Sequence, residues 1–341
     1  MGEFLKAKTK RFNSNTFLFI ITIVLFIAMY VAGMIVVADK GFAKPQMFLN
    51  LFISNAGLLV IAMGETIVMI TAGIDISVGS VTALVCMVAA NQMENHGASA
   101  YTALLMALVI GLLFGLVQGF LVSYLEIQPF IVSLAGMFFG RGMTSIISTD
   151  MISIKNKTFL AWANYKIYLP IGSYSRRGKF IPAYIYPTVI IAILIFIVIA
   201  IIMKYTKFGR EVYAIGGNAQ SAMMMGLNVK KTKFKAYVLD GLLAGCGGFL
   251  FCLNSCSGFV EQAKGLEMDA ISASVIGGTL LSGGVGTPFG TVFGVLIKGT
   301  ISSLITTQGT LSSWWVRIAL SALLCFFIVL QSIIGSMKKK N

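Results

Sequence analysis

Residues 65–79 read E-T-I-V-M-I-T-A-G-I-D-I-S-V-G. One carboxylate, Asp75, stands between Gly73 and Gly79 inside a long apolar region. A charge at the centre of a membrane helix costs roughly 2.5–3.5 kcal/mol on translocon scales. A chain carries that cost where a helix is broken, where water enters, or where a partner waits. Glycine supplies the break, because it tolerates close backbone approach and positive φ. Asp75 then has two compatible readings. It caps the next helix, with its carboxylate on the free amides near Val78 and Gly79, or it touches the substrate.

The apolar region is no local accident. The chain has 341 residues, 57% hydrophobic and 11% charged, too much apolar surface for a soluble fold to hide. The runs are long and do not alternate, which predicts helices rather than a barrel. The expected fold is all-α and polytopic, a single transmembrane domain over residues 1–341. About ten spans of membrane length follow from hydropathy. They fall near 16–37, 51–72, 76–93, 101–125, 129–148, 183–203, 236–257, 269–282, 288–306 and 313–334. Glycine and serine dilute the third, eighth and ninth, so these read as half-helices or re-entrant segments. The basic start followed by apolar residues from Thr16 to Val37 is too long for a signal peptide's apolar region and is read as a retained helix.

Charge sets the expected orientation. The net charge is +14, but basic residues gather at termini and loops. Aromatic-rich basic patches that could stack bases are missing, so membrane topology explains the charge and nucleic acid does not. Lys6, Lys8, Lys10 and Arg11 precede the first span. Lys204, Lys207, Arg210, Lys230, Lys231, Lys233 and Lys235 crowd the loop 204–235, and Lys338–Lys340 close the chain. An even number of spans puts tail 1–15, loop 204–235 and tail 335–341 together in the cytoplasm. Loop 149–182 then falls outside, although it carries Lys155, Lys157, Lys166, Arg176, Arg177 and Lys179. Either a span is miscounted, or that charge serves a partner.

Little in the chain suggests catalysis. Five cysteines lie in apolar runs and read as small buried hydrophobes. His96, the only histidine, sits in a polar loop. No metal cluster, nucleophile triad or paired carboxylates emerge. The glycine block Val275–Gly290 lacks the Lys-Ser/Thr ending of a phosphate loop, so any ATPase must be a separate chain. Glu267 and Asp269 precede the eighth span, where a helix start favours acids. Asp240, at the start of the seventh span, is expected to pair with nearby lysines. Lys298 and Arg317 either snorkel or pair with acids. Arg141, between Gly140 and Gly142, is a candidate cavity residue.

Two further patterns concern mechanism. Gly73 is followed by five residues and Gly79-Ser80-Val81; Gly284 is followed by five residues and Gly290-Thr291-Val292. The copies lie six spans apart and would share an orientation, as transporter repeats do, unless the likeness is chance. In loop 204–235, Gly216-Gly217-Asn218 reads as a turn and N-cap, Ala219–Met225 as a short helix, and Gly226 as its C-terminal stop. Methionine is an adaptable contact residue. That helix either receives a protein or packs on its own bundle.

Three stretches resemble signature segments of bacterial sugar ABC-importer permeases, the ribose/galactoside/xylose group. They are residues 64–80 (G-E-T-I-V-M-I-T-A-G-I-D-I-S-V-G-S), residues 213–218 (Y-A-I-G-G-N) and residues 266–287, which contain S-V-I-G-G-T-L-L-S-G-G-V-G-T. Residues 130–142 and 309–315 look most similar to a permease of galactofuranose-type importers. The resemblance implies a non-catalytic subunit in the bacterial inner membrane, with both termini cytoplasmic and in contact with lipid. It also implies an ATP-binding cassette ATPase using ATP and Mg, a second permease chain, identical or merely similar, and an extracytoplasmic sugar-binding protein. Gly216, Gly217, Asn218, Ala219, Ala222, Met223 and Gly226 would match the segment that docks on the ATPase. Two departures stand out: Ala72 where the family often has glycine, and Ile76 where leucine is usual, neither changing charge or volume much. A sugar offers hydroxyls, so its path needs polar and aromatic side chains. Candidates are Asp75, Ser77, Phe130, Phe139, Arg141 and Trp314. The competing reading is a gradient-driven carrier with Asp75 or Glu65 as its proton site; a third is a channel-like subunit without a cycle.

Overall fold

A computed structural model describes residues 14–174, 178, 180–310, 312 and 314–340. The basic cluster Lys6–Arg11, with Arg176, Arg177 and Lys179, lies outside the described residues. Among the described residues, eight helices are long and apolar enough to cross a membrane. They are α1 (Ser14–Val36), α2 (Pro45–Ile70), α4 (Ala100–Ser123), α5 (Pro129–Ile147), α7 (Pro187–Tyr205), α10 (Val229–Ser255), α12 (Pro288–Gln308) and α13 (Trp314–Lys340). The expected third and eighth spans are shorter: α3 (Val78–Asn95) has 18 residues and α11 (Leu266–Ile276) has 11. At 1.5 Å per residue α11 spans about half of a hydrocarbon core. The ninth expected span is a full helix, α12, of 21 residues.

The centre of the bundle is α2, in which every residue from Asn55 to Ile70 is buried. It packs on α10, which packs in turn on α4. The α4–α10 crossing is close because both faces are glycine: a Cβ on Gly115 would lie 2.6 Å from the Tyr237 carbonyl, and one on Gly245 would reach the Ala107 carbonyl. Small residues let membrane helices approach, since lipid gives them no hydrophobic reason to associate. The opposite face of α4 carries Leu105, Val109, Leu113 and Val117, all exposed. Glycine inside and leucine outside is a membrane helix with the pattern of a soluble one reversed.

The contacts sort the connections onto two ends. One end holds the break 71–77, the loop 124–128, and helices α8 (Lys207–Gly217) and α9 (Ala219–Met224). Glu126 pairs with Lys230 there at 2.8 Å, and Gly284 N–H donates to the Ile70 carbonyl at 2.9 Å. The other end holds residues 148–174 and 180–186, the loop after α10, the end of α12 and the start of α13. There the Lys40 ammonium donates to the Gln308 carbonyl, and Glu94 accepts from the amides of Lys155 and Asn156 at 2.7 and 3.0 Å.

The described residues of 149–182, a stretch read from sequence as a loop, form regular elements. Strand β1 (Ile152–Ser153) pairs antiparallel with β4 (Ser257–Gly258). Helix α6 (Lys157–Asn164) follows, capped by Asn156. Then β2 (Ile167–Tyr174) pairs with β3 (Phe180–Ile185) in an antiparallel hairpin. The Lys166 ammonium sits 4.5 Å above the Tyr184 ring, so part of the unexplained basic charge is spent within the hairpin. The five cysteines are unpaired; Cys86 and Cys252 are buried as expected, Cys246 and Cys256 are half-buried, and Cys325 is exposed against expectation; His96 is exposed.

Candidate functional site

The break between α2 and α3 is a buried polar seam. Ala72 adopts φ +61°, a left-handed conformation that costs an L-residue about 1–2 kcal/mol. The departure from glycine at this position is therefore a matter of backbone strain rather than of volume. Asp75 is buried, and its Oδ1 accepts from the Ser77 amide at 2.7 Å. The cap expected on Val78 and Gly79 is corrected by one turn position: the carboxylate closes an Asx-turn on Ser77 before the helix starts. Ser77, the N-cap residue of α3, makes no side-chain cap bond. Its hydroxyl instead accepts from Gln118 Nε2 on α4 at 2.6 Å.

Two further acids complete the seam. Glu65 Oε1 accepts from the Asp75 amide at 3.3 Å, while Glu65 Oε2 has no donor. Asp240 is fully buried, and neither of its carboxyl oxygens has a donor. The expected ion pair of Asp240 with cytoplasmic lysines is overturned. Helix α10 begins at Val229, capped by Asn228, so Lys230–Lys235 occupy its first turns. Asp240 lies deeper, on the face against Gly64 of α2, and its carboxyl faces that of Asp75. Tyr237, one turn earlier, donates to the Ile74 carbonyl at 3.3 Å. Among the described residues no lysine or arginine pairs with any of the three acids. Three charges in one buried volume without a counter-ion would cost several kcal/mol per ion.

The second break, residues 277–287, is satisfied by backbone. Leu280 N–H donates to the Val285 carbonyl at 3.0 Å and Gly283 N–H to the Leu280 carbonyl at 3.0 Å. Thr287 caps α12 through the Gly290 amide at 3.0 Å. The two breaks touch. A Cβ on Gly283 would lie 2.8 Å from the Ala72 amide, and Thr66 on α2 shares hydrogen bonds with Thr291 at 2.6 Å and Ser274 at 2.9 Å. The internal repeat thus places both copies alike, each an irregular break leading into a helix that starts from the same end.

Against this junction lies the loop that the sequence marked as a docking segment. It contains two helices rather than one. Gly216, near the end of α8, packs so closely on the Ile70 carbonyl that a Cβ would also lie 2.5 Å from the Gly284 amide. Tyr213 donates to the Gly286 carbonyl at 2.9 Å. Asn218 caps α9 through Ser221, and Gly226, at φ +80°, follows it. Met223, Met224 and Met225 are 63, 86 and 69% exposed.

A family model described as "Branched-chain amino acid transport system / permease component" matches residues 47–329. The chain belongs to this permease family. Curated relatives cover most of the permease. It is 40% identical over 293 residues to the inner membrane ABC transporter permease protein YjfF of Escherichia coli K12, over 85% of each chain. It is 31% identical over 310 residues to the fructose import permease protein FruG of Bifidobacterium longum, over 91% of this chain and 88% of that one. With the ribose import permease protein RbsC of Bacillus subtilis it shares 34% identity over 288 residues, 84% of this chain and 85% of the relative. No solved structure matches.

The permease fold distributes the sequence candidates over several places. Asp75 and Ser77 lie in the buried seam. Phe139, 61% exposed, lines an apolar cleft of about 480 Å³ between α3, α4 and α5. Phe130, at the start of α5, is also exposed. Arg141 donates to the Val260 and Gln262 carbonyls at 2.9 and 2.6 Å, so its guanidinium holds the loop after α10. Trp314 opens α13 at the same end, with the Arg317 guanidinium 5.1 Å from its ring. Of the docking residues, Gly217, Asn218, Met223 and Gly226 are exposed, Gly216 and Ala219 are half-buried, and Ala222 is buried inward. Gln118 and Tyr237 were missed in the sequence. Gln118 carries a signal, a lone amide within an apolar helix; Tyr237 looks like any aromatic.

Proposed function

We propose that this permease is the membrane subunit of an ATP-driven, binding-protein-dependent sugar importer of the bacterial inner membrane. The observation that carries the reading is the contact of α8 with both breaks, through Gly216 on the Ile70 carbonyl and the Gly284 amide. A force applied to the exposed methionines of α9 reaches the two helix breaks through backbone contacts that cannot yield. Such a rigid path suits a subunit whose ATP and Mg are handled by a separate ATPase. The basic residues of 204–235 and Lys338–Lys340 support a cytoplasmic location for that end and for both termini, and with it an external location for residues 149–182, which would face a soluble sugar-binding protein. A second permease chain, identical or similar, completes the pathway. Similarity to sugar permeases supports a monosaccharide as cargo, and the likeness of residues 130–142 and 309–315 favours a galactofuranose-type system.

Met224→Glu tests the docking assignment, because Met224 is 86% exposed and its change leaves the fold alone. The expected outcome is a normally inserted chain that no longer co-purifies with an ATPase and no longer supports uptake. Wild-type uptake by that variant would sink the assignment.

A second reading draws on the seam. Glu65, Asp75 and Asp240 have no cation partner among the described residues, as a proton-coupled carrier would require. Uptake that collapses with a protonophore while cellular ATP is maintained would favour it over the importer.

A further inference from the structure

The largest charge anomaly outside the seam lies towards the opposite end of the bundle. Lys298 is the middle residue of α12, an apolar helix. Its ammonium pairs with Asp269 of α11 at 3.2 Å and donates to Asn55 Oδ1 of α2 at 3.4 Å. An ionisable pair within a membrane helix bundle is costly, and it persists where it faces water or a ligand. This pair lines a cavity of about 420 Å³ between α11, α12 and α13. Ser272, Ser302 and Ser321 also line it, and among the described residues their hydroxyls have no hydrogen-bond partner. At its rim Arg317 donates to the Lys264 carbonyl at 3.4 Å and lies over the exposed ring of Trp314.

We infer that this cavity receives the cargo in passage, binding a neutral polyhydroxylated molecule of monosaccharide size through Asp269, Lys298 and the free serine hydroxyls. The inference rests on the importer reading and names the place where that reading's sugar first meets the permease. The volume lies in the range of small-molecule sites. The carboxylate and the ammonium cancel in charge but offer an acceptor and donors side by side, which is what neighbouring hydroxyls on a ring require. An anionic cargo would find Asp269 opposed, and a cationic one Lys298. The other cavities fit a sugar less well. The cleft at Phe139 has Gln118 as its only amide or charged lining residue, and the basic one near Lys207 and Lys231 lies at the docking end. The cavity opens at the end opposite to α9, where a binding protein would release its cargo. The binding protein sets the concentration dependence of uptake, so this site acts on the rate after delivery.

The test uses the complete importer in proteoliposomes, with labelled D-ribose, D-fructose and D-galactose as probes. Ser302→Trp fills the cavity, and Lys298→Met removes the pair. Each should lower the maximal ATP-dependent uptake rate at least tenfold, leave the half-saturating external sugar concentration within twofold, and leave the amount of co-purified ATPase unchanged. Phe326→Trp, on the exposed face of α13, should transport like the wild type. A second measurement needs no loss of function. Ser302→Cys, in a Cys325→Ala background, should react with a membrane-impermeant methanethiosulfonate, and the transported sugar should slow that reaction at least threefold. Wild-type rates in Ser302→Trp and Lys298→Met, or labelling unaffected by any transported sugar, overturns the inference while leaving the importer standing. No ATP-dependent uptake by the wild type overturns the importer reading, and this site with it.

Discussion

The two glycine-marked breaks share a pattern in sequence and differ in how they are held. Residues 71–77 rely on side chains: Asp75 holds the Ser77 amide, Glu65 accepts from the Asp75 amide, and Gln118 holds the Ser77 hydroxyl. Residues 277–287 rely on backbone bonds and on glycines at positive φ, among them Gly278, Gly283 and Gly284. A break built from carboxylates can change with protonation or with movement of one side chain. A break built from backbone turns is stiff and tolerates no Cβ. The permease thus sets a break held by side chains against one held by backbone, and α8 touches the point where they meet.

The sharpest way to break this contrast is Gly283→Val. The new side chain must adopt φ +84° with its Cβ 2.8 Å from Ala72, a cost of about 3 kcal/mol from strain and overpacking together. The expected result is a chain that loses its melting transition in mild detergent; a wild-type Tm would show that the second break is soft. Asp240→Asn should act in the opposite sense. An amide gives the facing Asp75 a donor where there was only another acceptor, and the gain is about 1–2 kcal/mol. A lowered Tm would mean that the charge of Asp240 is itself required for folding. Thr287→Ala removes the cap of α12 and should cost about 1 kcal/mol, read as a lowered Tm with the fold intact. The smallest effect belongs to Ala72→Gly, which relieves the φ +61° strain. Glycine's greater unfolded-state entropy offsets part of that relief, leaving a gain of about 0.5 kcal/mol. An unchanged or lower Tm would show that Ala72 is not strained.

Much of the fold was legible along the chain because a membrane helix announces itself by length and hydropathy. Of the three dilute segments, only 269–282 proved to be a half-length helix; 76–93 and 288–306 became helices of 18 and 21 residues. The pairing of 167–174 with 180–185 was not legible, since basic residues and two prolines, Pro170 and Pro182, masked the strands. Within the site, Asp75 stood out because one charge in an apolar run is conspicuous. Asp240 was visible but misassigned: nearness to lysines along the chain suggested a pair, while the start of α10 at Val229 turned it towards α2.

By itself the sequence determined a polytopic helical membrane chain, the positions of its helix breaks, and a short loop helix with its cap and stop. These depend on residues within one or two turns of each other, and local sequence records local preference directly. Tertiary structure alone decided which charges meet: Asp240 with Asp75, Lys298 with Asp269 and Asn55, Arg141 with two carbonyls of the loop after α10. Buried charge is settled by whichever partner the packing brings within a few ångströms, and that partner can be over a hundred residues away, as Val260 is from Arg141.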